Sequence, residues 1–564
     1  MSSEAISGGT DAGDDTGTVS VVRPVRRRRG APTPPPERSL IRASVLPVVG
    51  TTLSRATGLV RVAALTSALG LTTFADVYNL ANTTPNILYE LVLGGVLSST
   101  LVPLFVRTLD DPDDDTASVV VTVAFAAISV LTLLAVLVSP LVNRLFAAPL
   151  TGVERAAQLR YGDDLLALLL PQILFYGLTT LATALLTARR RFGPPAFTPV
   201  LTNLVTAAAV VATGWALGDA DLPGPTEVYL LGLGTTAGVA AMAVALLPSL
   251  RSAGITLRWS FQPRHPAVRS VVRLSGWMLG YTACNQVALL IVLTLARTQA
   301  AGSVSAYQYA FIFFQLPHGL IAVSLMTAVL PELATAAVDG DDRAYRERFR
   351  EGLGLLLAFL LPAAAALALL GTPMIELLLE RGRFDSADTR RTQEMLLGFA
   401  VGLPAFSVFL YCVRAFFARK DTRTPFFLNL GENVLNVVLV VPFMALLGAP
   451  GLSLAYAVAY WVAALAALVV LNRRIPHLLA RPFGAQLLRC VAVAVVTSVG
   501  LAGARLAMDG RGAAPVVELA VALAVGAAAF VVGVLLARPP GTDPLVRRLL
   551  GPLRSRGGPT GSAG

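Results

Sequence analysis

The sequence predicts an all-α polytopic membrane protein with fourteen transmembrane helices, built as two parallel six-helix lobes plus two C-terminal helices. Three observations lead there. The chain has 564 residues, 55% of them hydrophobic and only 14% charged, whereas soluble domains carry roughly 25% charged residues. Fourteen apolar stretches, each long enough to cross a bilayer, follow one another along it. Marker residues in the first six stretches return in the next six at a nearly constant offset.

Residues 1–39 are Gly/Ser/Thr/Asp-rich, then basic at Arg23 and Arg26–Arg29, then proline-rich at Pro32 and Pro34–Pro36. Such a segment buries too little apolar surface to offset its ordering entropy, and reads as a disordered cytoplasmic tail. Its basic run suits anionic lipid heads better than nucleic acid, because a membrane span follows at once. It lacks the short apolar core and small-residue cleavage site of a secretory signal.

The spans are expected at 41–69, 75–106, 117–142, 164–188, 196–217 and 226–248 in the first lobe, which covers 40–265. The second lobe, 266–475, holds spans at 267–296, 303–337, 351–372, 393–413, 424–447 and 450–471. Two more, at 484–506 and 514–537, lie within 476–540, and 541–564 forms a second polar tail. Prolines inside the spans (Pro47, Pro85, Pro171, Pro317, Pro362 and Pro404) predict kinks. Of 45 basic residues, 33 fall on the side that holds the N-terminus and 10 on the other. The positive-inside bias therefore places both termini in the cytoplasm. One inner loop, Asp110–Asp115, runs against the trend.

The repeat lies in the spacing. Arg42 and Ser44 are echoed by Arg273 and Ser275, 231 positions later; Pro85 by Pro317 at 232; and Pro171 by Pro404 at 233. Ala188 returns as Ala418 at 230, and Pro199 with Asn203 as Pro425 with Asn429 at 226. Six is even, so the halves share one orientation, and substrate sites in such transporters lie near mid-membrane between the repeats.

The first span carries Ser54-Arg55-x-x-Gly58-x-x-Arg61. At ~1.5 Å per residue, Arg55 lies roughly 21 Å into the helix, close to the middle of a ~30 Å hydrocarbon layer. An arginine there costs about 2.5–3.5 kcal/mol on the insertion scale and faces a bundle interior or a watery cavity. Six positions part Arg55 from Arg61 by roughly 120° around the helix and roughly 9 Å along it. Guanidinium groups bind phosphate oxygens bidentately and keep their charge in poor dielectric, which points to an anionic, phosphate-bearing substrate. The competing reading pairs one or both arginines with Asp76 or Glu90 as structural glue. The second span opens with Asp76 and sets Asn79, Asn82, Asn86 and Glu90 on one face. Gly94-Gly95 and Gly276-x-x-x-Gly280 read as close-packing surfaces.

The remaining polar groups carry less. Cys284, Cys412 and Cys490 lie in apolar runs at spacings unlike a disulfide framework or zinc site. His318, inside a span, reads as a packed, hydrogen-bonded residue. No phosphate-binding loop, zinc-protease pattern or nucleophile elbow stands in a fitting context, so no enzyme or cofactor is expected, and whether a metal binds is left open. A coupling ion is left open.

The run S-R-x-x-G-x-x-R, then A-D-x-x-N-x-A-N-x-x-P-N-x-x-x-E, then G-G-x-L-S closely resembles the MurJ/MviN lipid II flippases of the multidrug/oligosaccharidyl-lipid/polysaccharide exporter superfamily. A-G-S-V-S-A-Y-Q-Y-A at 301–310, L-P-E-L at 330–333, A-R-K-D-T-R-T-P at 418–425 and G-L-S-L-A at 451–455 extend the resemblance. It implies fourteen helices, and translocation of undecaprenyl-pyrophosphoryl-disaccharide-pentapeptide from the inner to the outer leaflet of a bacterial plasma membrane. It implies cavity roles for Ser54, Arg55 and Arg61, motif positions at Asp76 and Asn86, and a lipid-tail groove at 484–537. Cell-wall synthesis proteins are its expected partners beside lipid II and membrane lipids. Two departures stand out: Tyr89, Glu90 and Gly94 fill places where many Gram-negative members carry arginines and a glutamate. Ile312 fills the place of an eighth-helix arginine, and Arg297 is the candidate to compensate. The alternatives are an exporter of another polyprenyl-linked glycan and a transport-inactive scaffold for cell-wall enzymes.

Overall fold

The structure, a computed structural model, describes residues 37–93, 101–109, 115–218, 220, 222–479, 483–509, 514–543 and 547. The chain divides into two units, Met1–Val45 and Leu46–Gly564, and the helical bundle belongs to the second. The described residues form helices and connecting turns, without strands. The first half holds α1 (Glu37–Leu69), α2 (Thr73–Leu93), α3 (Val102–Thr108), α4 (Thr116–Ala147), α5 (Gly152–Leu169), α6 (Gln172–Ala188), α7 (Gly193–Leu217) and α8 (Pro225–Ser252). The second holds α9 (Pro266–Ala296), α10 (Ser303–Pro317), α11 (Val323–Val338), α12 (Asp342–Leu379), α13 (Ser386–Ala418), α14 (Arg423–Leu447) and α15 (Pro450–Arg474). A final pair, α16 (Phe483–Asp509) and α17 (Pro515–Ala537), packs together and against α12.

Among the described residues, twelve stretches are long and apolar enough to cross a membrane, with α5–α6 and α10–α11 each counting as one. The two other expected spans are α1 and α2, which are long helices whose arginines and amides lower their hydropathy. The outer faces are apolar: Leu137 is 66% exposed, Leu446 79% and Leu536 76%. That pattern fits lipid and is foreign to a water-soluble bundle.

Of the expected kinks, two coincide with breaks in the helices. The chain leaves the helix between α5 and α6 at Leu170–Pro171, and a π-helical turn, His318–Ala322, follows Pro317. Proline has no N–H to donate and its ring crowds the preceding turn, so the hydrogen-bond ladder widens or stops there. Helix continues through Pro85, Pro362 and Pro404, the others whose surroundings are described.

The repeat reappears as a hydrogen bond. Asn203 Nδ2 on α7 donates to the Ser54 carbonyl on α1 at 3.0 Å. Its counterpart Asn429 on α14 donates to the Tyr281 carbonyl on α9 at 3.1 Å. Interhelical amide bonds of this kind contribute about 0.6–2 kcal/mol in a membrane. The core is densest around α13, where Phe399, Phe406 and Phe409 meet Tyr456 and Tyr460 of α15. Gly280 does allow close packing, since a Cβ there would lie 2.8 Å from the Phe426 ring; at Gly276 it would meet nothing within 4 Å. Gly94-Gly95, most of Asp110–Asp115 and residues 1–36 of the tail lie outside the described residues.

Candidate functional site

Helix α1 brings Ser54, Arg55 and Arg61 to the inner side of the bundle. Ser54 is half-buried, and the Asn203 bond to its carbonyl fixes this part of α1 against α7. Asn203 also donates to Thr57 Oγ1 at 3.2 Å. Arg61 lines a small cavity of about 50 Å³ with Asn79, Asn82, Gln308 and Tyr309. Its Nε is buried without a hydrogen-bond partner among the described residues. Arg55 is exposed and reaches the π-helical turn, where its Nη2 lies 3.6 Å from the position a Cβ on Gly319 would take.

No carboxylate lies within ion-pair distance of Arg55 or Arg61 among the described residues. The reading of these arginines as structural glue therefore finds no partner for them. Glu90 is half-buried and makes no ion pair among the described residues. Asn86 is half-buried and donates to the Asn82 carbonyl at 3.3 Å, along its own helix.

The structure gives Asp76 another role. It is 1% exposed. Its Oδ1 accepts from the Ser305 amide at 2.8 Å and the Ser305 hydroxyl at 2.7 Å, and its Oδ2 from the Gly302 amide at 3.0 Å. Arg297 stands 3.6 Å from Oδ2. Buried carboxylates are stable only when paired and hydrogen-bonded, and this one is saturated, so it is no free ligand for a substrate. Arg297 likewise fails as a compensating cavity cation. It is 1% exposed and shared between Asp76 and Glu154, the latter at 3.1 Å. Together these residues lock the start of α2 and of α5 to the α9–α10 turn. The polar stripe on α2 is accordingly split: Asp76 and Asn79 are buried against α10, with Asn79 donating to Ser305 Oγ at 2.9 Å, while Asn82, Asn86 and Glu90 stay half-buried.

His318 is a packing residue, with Nδ1 2.9 Å from Ser407 Oγ and its ring 4.6 Å from that of Phe406. All three cysteines are free; Cys412 and Cys490 are buried and Cys284 is half-buried. Among the described residues no group of three or more His, Cys, Asp or Glu could hold a metal ion.

Sequence reasoning missed Gln308, Tyr309 and Gly319, which stand in α10 and its π-helical turn as parts of an apolar run and a lone glycine. It also passed over Glu432, a lone carboxylate inside the apolar span at 424–447, although a charge in a span is by itself a functional signal. Glu432 lines a second cavity of about 410 Å³ in the C-terminal half.

Comparisons with known proteins agree with this architecture. A family model described as "Lipid II flippase MurJ" matches residues 65–516. A "Probable lipid II flippase MurJ" of Rhizobium tropici is 30% identical over 432 residues, covering 76% of this chain and 80% of the relative. One of Rhizobium meliloti is 31% identical over 425 residues, covering 74% and 78%. A "Lipid II flippase MurJ" of Burkholderia cenocepacia is 28% identical, covering 72% and 79%. A solved structure titled "Lipid II flippase MurJ, inward closed conformation" superposes with a TM-score of 0.71 at 22% identity, covering 90% of this chain and all of that one. An inward-facing multidrug resistance MATE transporter gives 0.64 at 14% identity, covering 76% and 96%. Both superpositions speak to the fold alone. With its family model spanning most of the sequence and its arginine-bearing first helix turned inward, this chain belongs to the MurJ family of lipid II flippases.

Proposed function

We propose that this protein carries lipid II from the inner to the outer leaflet by alternating access, the lobes at 40–265 and 266–475 rocking about the cavity between them. It does so in a bacterial plasma membrane with both termini in the cytoplasm, as the charge bias favours, and it changes no covalent bond. Arg55 and Arg61 engage the diphosphate, Ser54 and Asn86 border it, and Glu90 stands at the margin. Asp76 acts as structural support for α2, outside the binding set. The polyprenyl tail stays in the lipid phase along the groove at 476–540. What supports this most is the pair of inward arginines without carboxylate partners among the described residues: cationic groups fit a diphosphate, and a plain anchor helix has no use for them.

The test is replacement of a host's own flippase by this chain under depletion. Arg55→Ala and Arg61→Ala should each reach wild-type abundance in the membrane yet fail to sustain wall synthesis, with lipid II accumulating in the inner leaflet. Normal growth of both single variants would remove the diphosphate reading. If the unaltered chain failed to rescue, the cargo would be another polyprenyl-linked glycan.

A further inference from the structure

We propose that one corner of the first half binds an anionic glycerophospholipid of the inner leaflet. One acyl chain fills an apolar cleft among α4, α6 and α8, and the phosphate meets arginine at its mouth. The cleft shares no lining residue with the cavity at Arg61, and only the choice of leaflet rests on the orientation proposed above.

The cleft encloses about 500 Å³, with Thr122 and Phe125 of α4, Phe175 and Leu185 of α6, and Val244 and Leu247 of α8 on its walls. Here α4 starts while α6 and α8 end, at the end of the bundle that the charge bias assigns to the cytoplasm. Val244 and Leu247 are 58% and 48% exposed, so the cleft is open on its outer side. From Leu185 back to Phe175 the wall spans roughly 15 Å of helix, the depth of one leaflet in a ~30 Å hydrocarbon layer.

Residues 255–262, on the link between the halves, form a strap without regular structure. The strap is nonetheless pinned. The Arg258 amide donates to Ser118 Oγ and the Ser260 amide to Thr122 Oγ1, both at 3.2 Å. Four residues of helix rise roughly 6 Å and two of extended chain roughly 6.6 Å, so the two repeats match. Leu257, Arg258 and Trp259 of the strap complete the cleft. The Trp259 ring meets Phe125 edge-on at 6.0 Å, yet the residue is 71% exposed, and Phe261, two positions on, is 56% exposed. Exposed aromatics of this kind sit at headgroup level, so the strap marks the depth of a lipid phosphate.

The charge here has one sign. Residues 251–273 hold Arg251, Arg258, Arg264, Arg269 and Arg273 and no Asp or Glu. Among the described residues none of these five makes an ion pair, and Arg258 stands at the cleft itself. Hydrocarbon gains little by exchanging lipid neighbours for leucine, so such a cleft selects by the head, and basic pockets between helices at this face hold anionic headgroups. A free phosphate would engage arginine and leave the cleft unfilled. A neutral lipid would fill the cleft and leave Arg258 unmatched. An anionic lipid satisfies both, and by touching strap and helices together it fastens the link between the halves to the first half.

The test is native mass spectrometry of the full chain in non-ionic detergent, reading the first lipid bound. Phosphatidylglycerol and phosphatidylcholine with identical chains are compared, and the former should bind the unaltered protein about tenfold more tightly. Arg258→Gln should weaken phosphatidylglycerol about fivefold, the effect of one cation at the surface, and leave phosphatidylcholine unchanged. Arg343→Gln, the same charge change at the start of α12, should leave both unchanged. Val244→Trp should weaken both by crowding the cleft. All three positions are exposed, so these variants should keep the fold. Equal affinity for the two lipids overturns the proposal, and equal losses in Arg258→Gln and Arg343→Gln replace it with general surface attraction. Unchanged binding in Val244→Trp takes the acyl chain out of the cleft and overturns it as well. So does protection against thermal unfolding by inorganic phosphate that equals protection by phosphatidylglycerol. None of these outcomes bears on rescue under depletion, so the flippase reading stands or falls separately.

Discussion

Replacing Arg297 by methionine should destabilise the protein mainly through Asp76. At 3.6 Å, the Coulomb attraction between the two charges is about 5 kcal/mol with an effective dielectric constant near 20. Most of that offsets desolvation, and removing one partner of a buried pair costs about 3–5 kcal/mol because the other charge is left stranded. Asp76 keeps three hydrogen bonds, from the Ser305 amide, the Ser305 hydroxyl and the Gly302 amide, so the low end, about 3 kcal/mol, applies. Glu154 adds little, since its side chain is 25% exposed and can turn to water. The check is a double-mutant cycle with Asp76→Asn, following unfolding of the purified protein in detergent by tryptophan fluorescence. Arg297→Met should lower the midpoint by several degrees, Asp76→Asn by less, and the double variant should lie near Asp76→Asn. If the two effects simply added, within about 0.5 kcal/mol, the pair would not be coupled and its role as a lock would be refuted.

Three further outcomes are expected. Gly319→Ala should flip normally, because the added Cβ would lie 3.6 Å from Arg55 Nη2, an ordinary contact; Gly319→Leu should displace the guanidinium and cut flipping in the depletion assay at unchanged abundance. Gly302→Ala should cost about 1–3 kcal/mol of backbone strain, since Gly302 has φ +85° and a Cβ there would lie 2.4 Å from Leu71; thermal unfolding measures it. Burial would raise the Asp421 carboxyl, but hydrogen bonds from Thr424 and the Arg474 guanidinium hold it below its ordinary value. A depressed folded-state value adds stability above the unfolded carboxyl value, about pH 4, and that stability is lost as pH falls through the folded one. Unfolding midpoints between pH 3 and 7 should therefore fall less on acidification in Asp421→Asn than in the unaltered protein.

Helices of this length announce themselves through twenty-residue apolar runs, and the span limits read from hydropathy fall within a few residues of most observed helices. The stretch from 351 to 372 is an exception: α12 runs Asp342–Leu379, because its charged first turns extend beyond the apolar run as helix. Arg55 and Arg61 are legible because a guanidinium in hydrocarbon is anomalous by itself. Asp76 is misread for the same reason. Charge in a span signals that a partner exists, but which partner depends on the α9–α10 turn, more than 220 positions away, and no local pattern encodes that meeting. Glu432 escapes notice because amides flank it within a helix whose other residues are largely apolar. That no hydrogen-bond donor among the described residues reaches it is a property of several helices packed together, not of its neighbours in sequence.

The twin asparagine clasps have an architectural corollary. Partners 149 positions apart in one half and 148 in the other make the same bond, so one joint is built twice in the chain. The frame is shared while the polar side chains differ, with Arg55 and Arg61 in the first half and Glu432 in the second. Two like shells can thus carry different chemistry with only a few side chains changed between them.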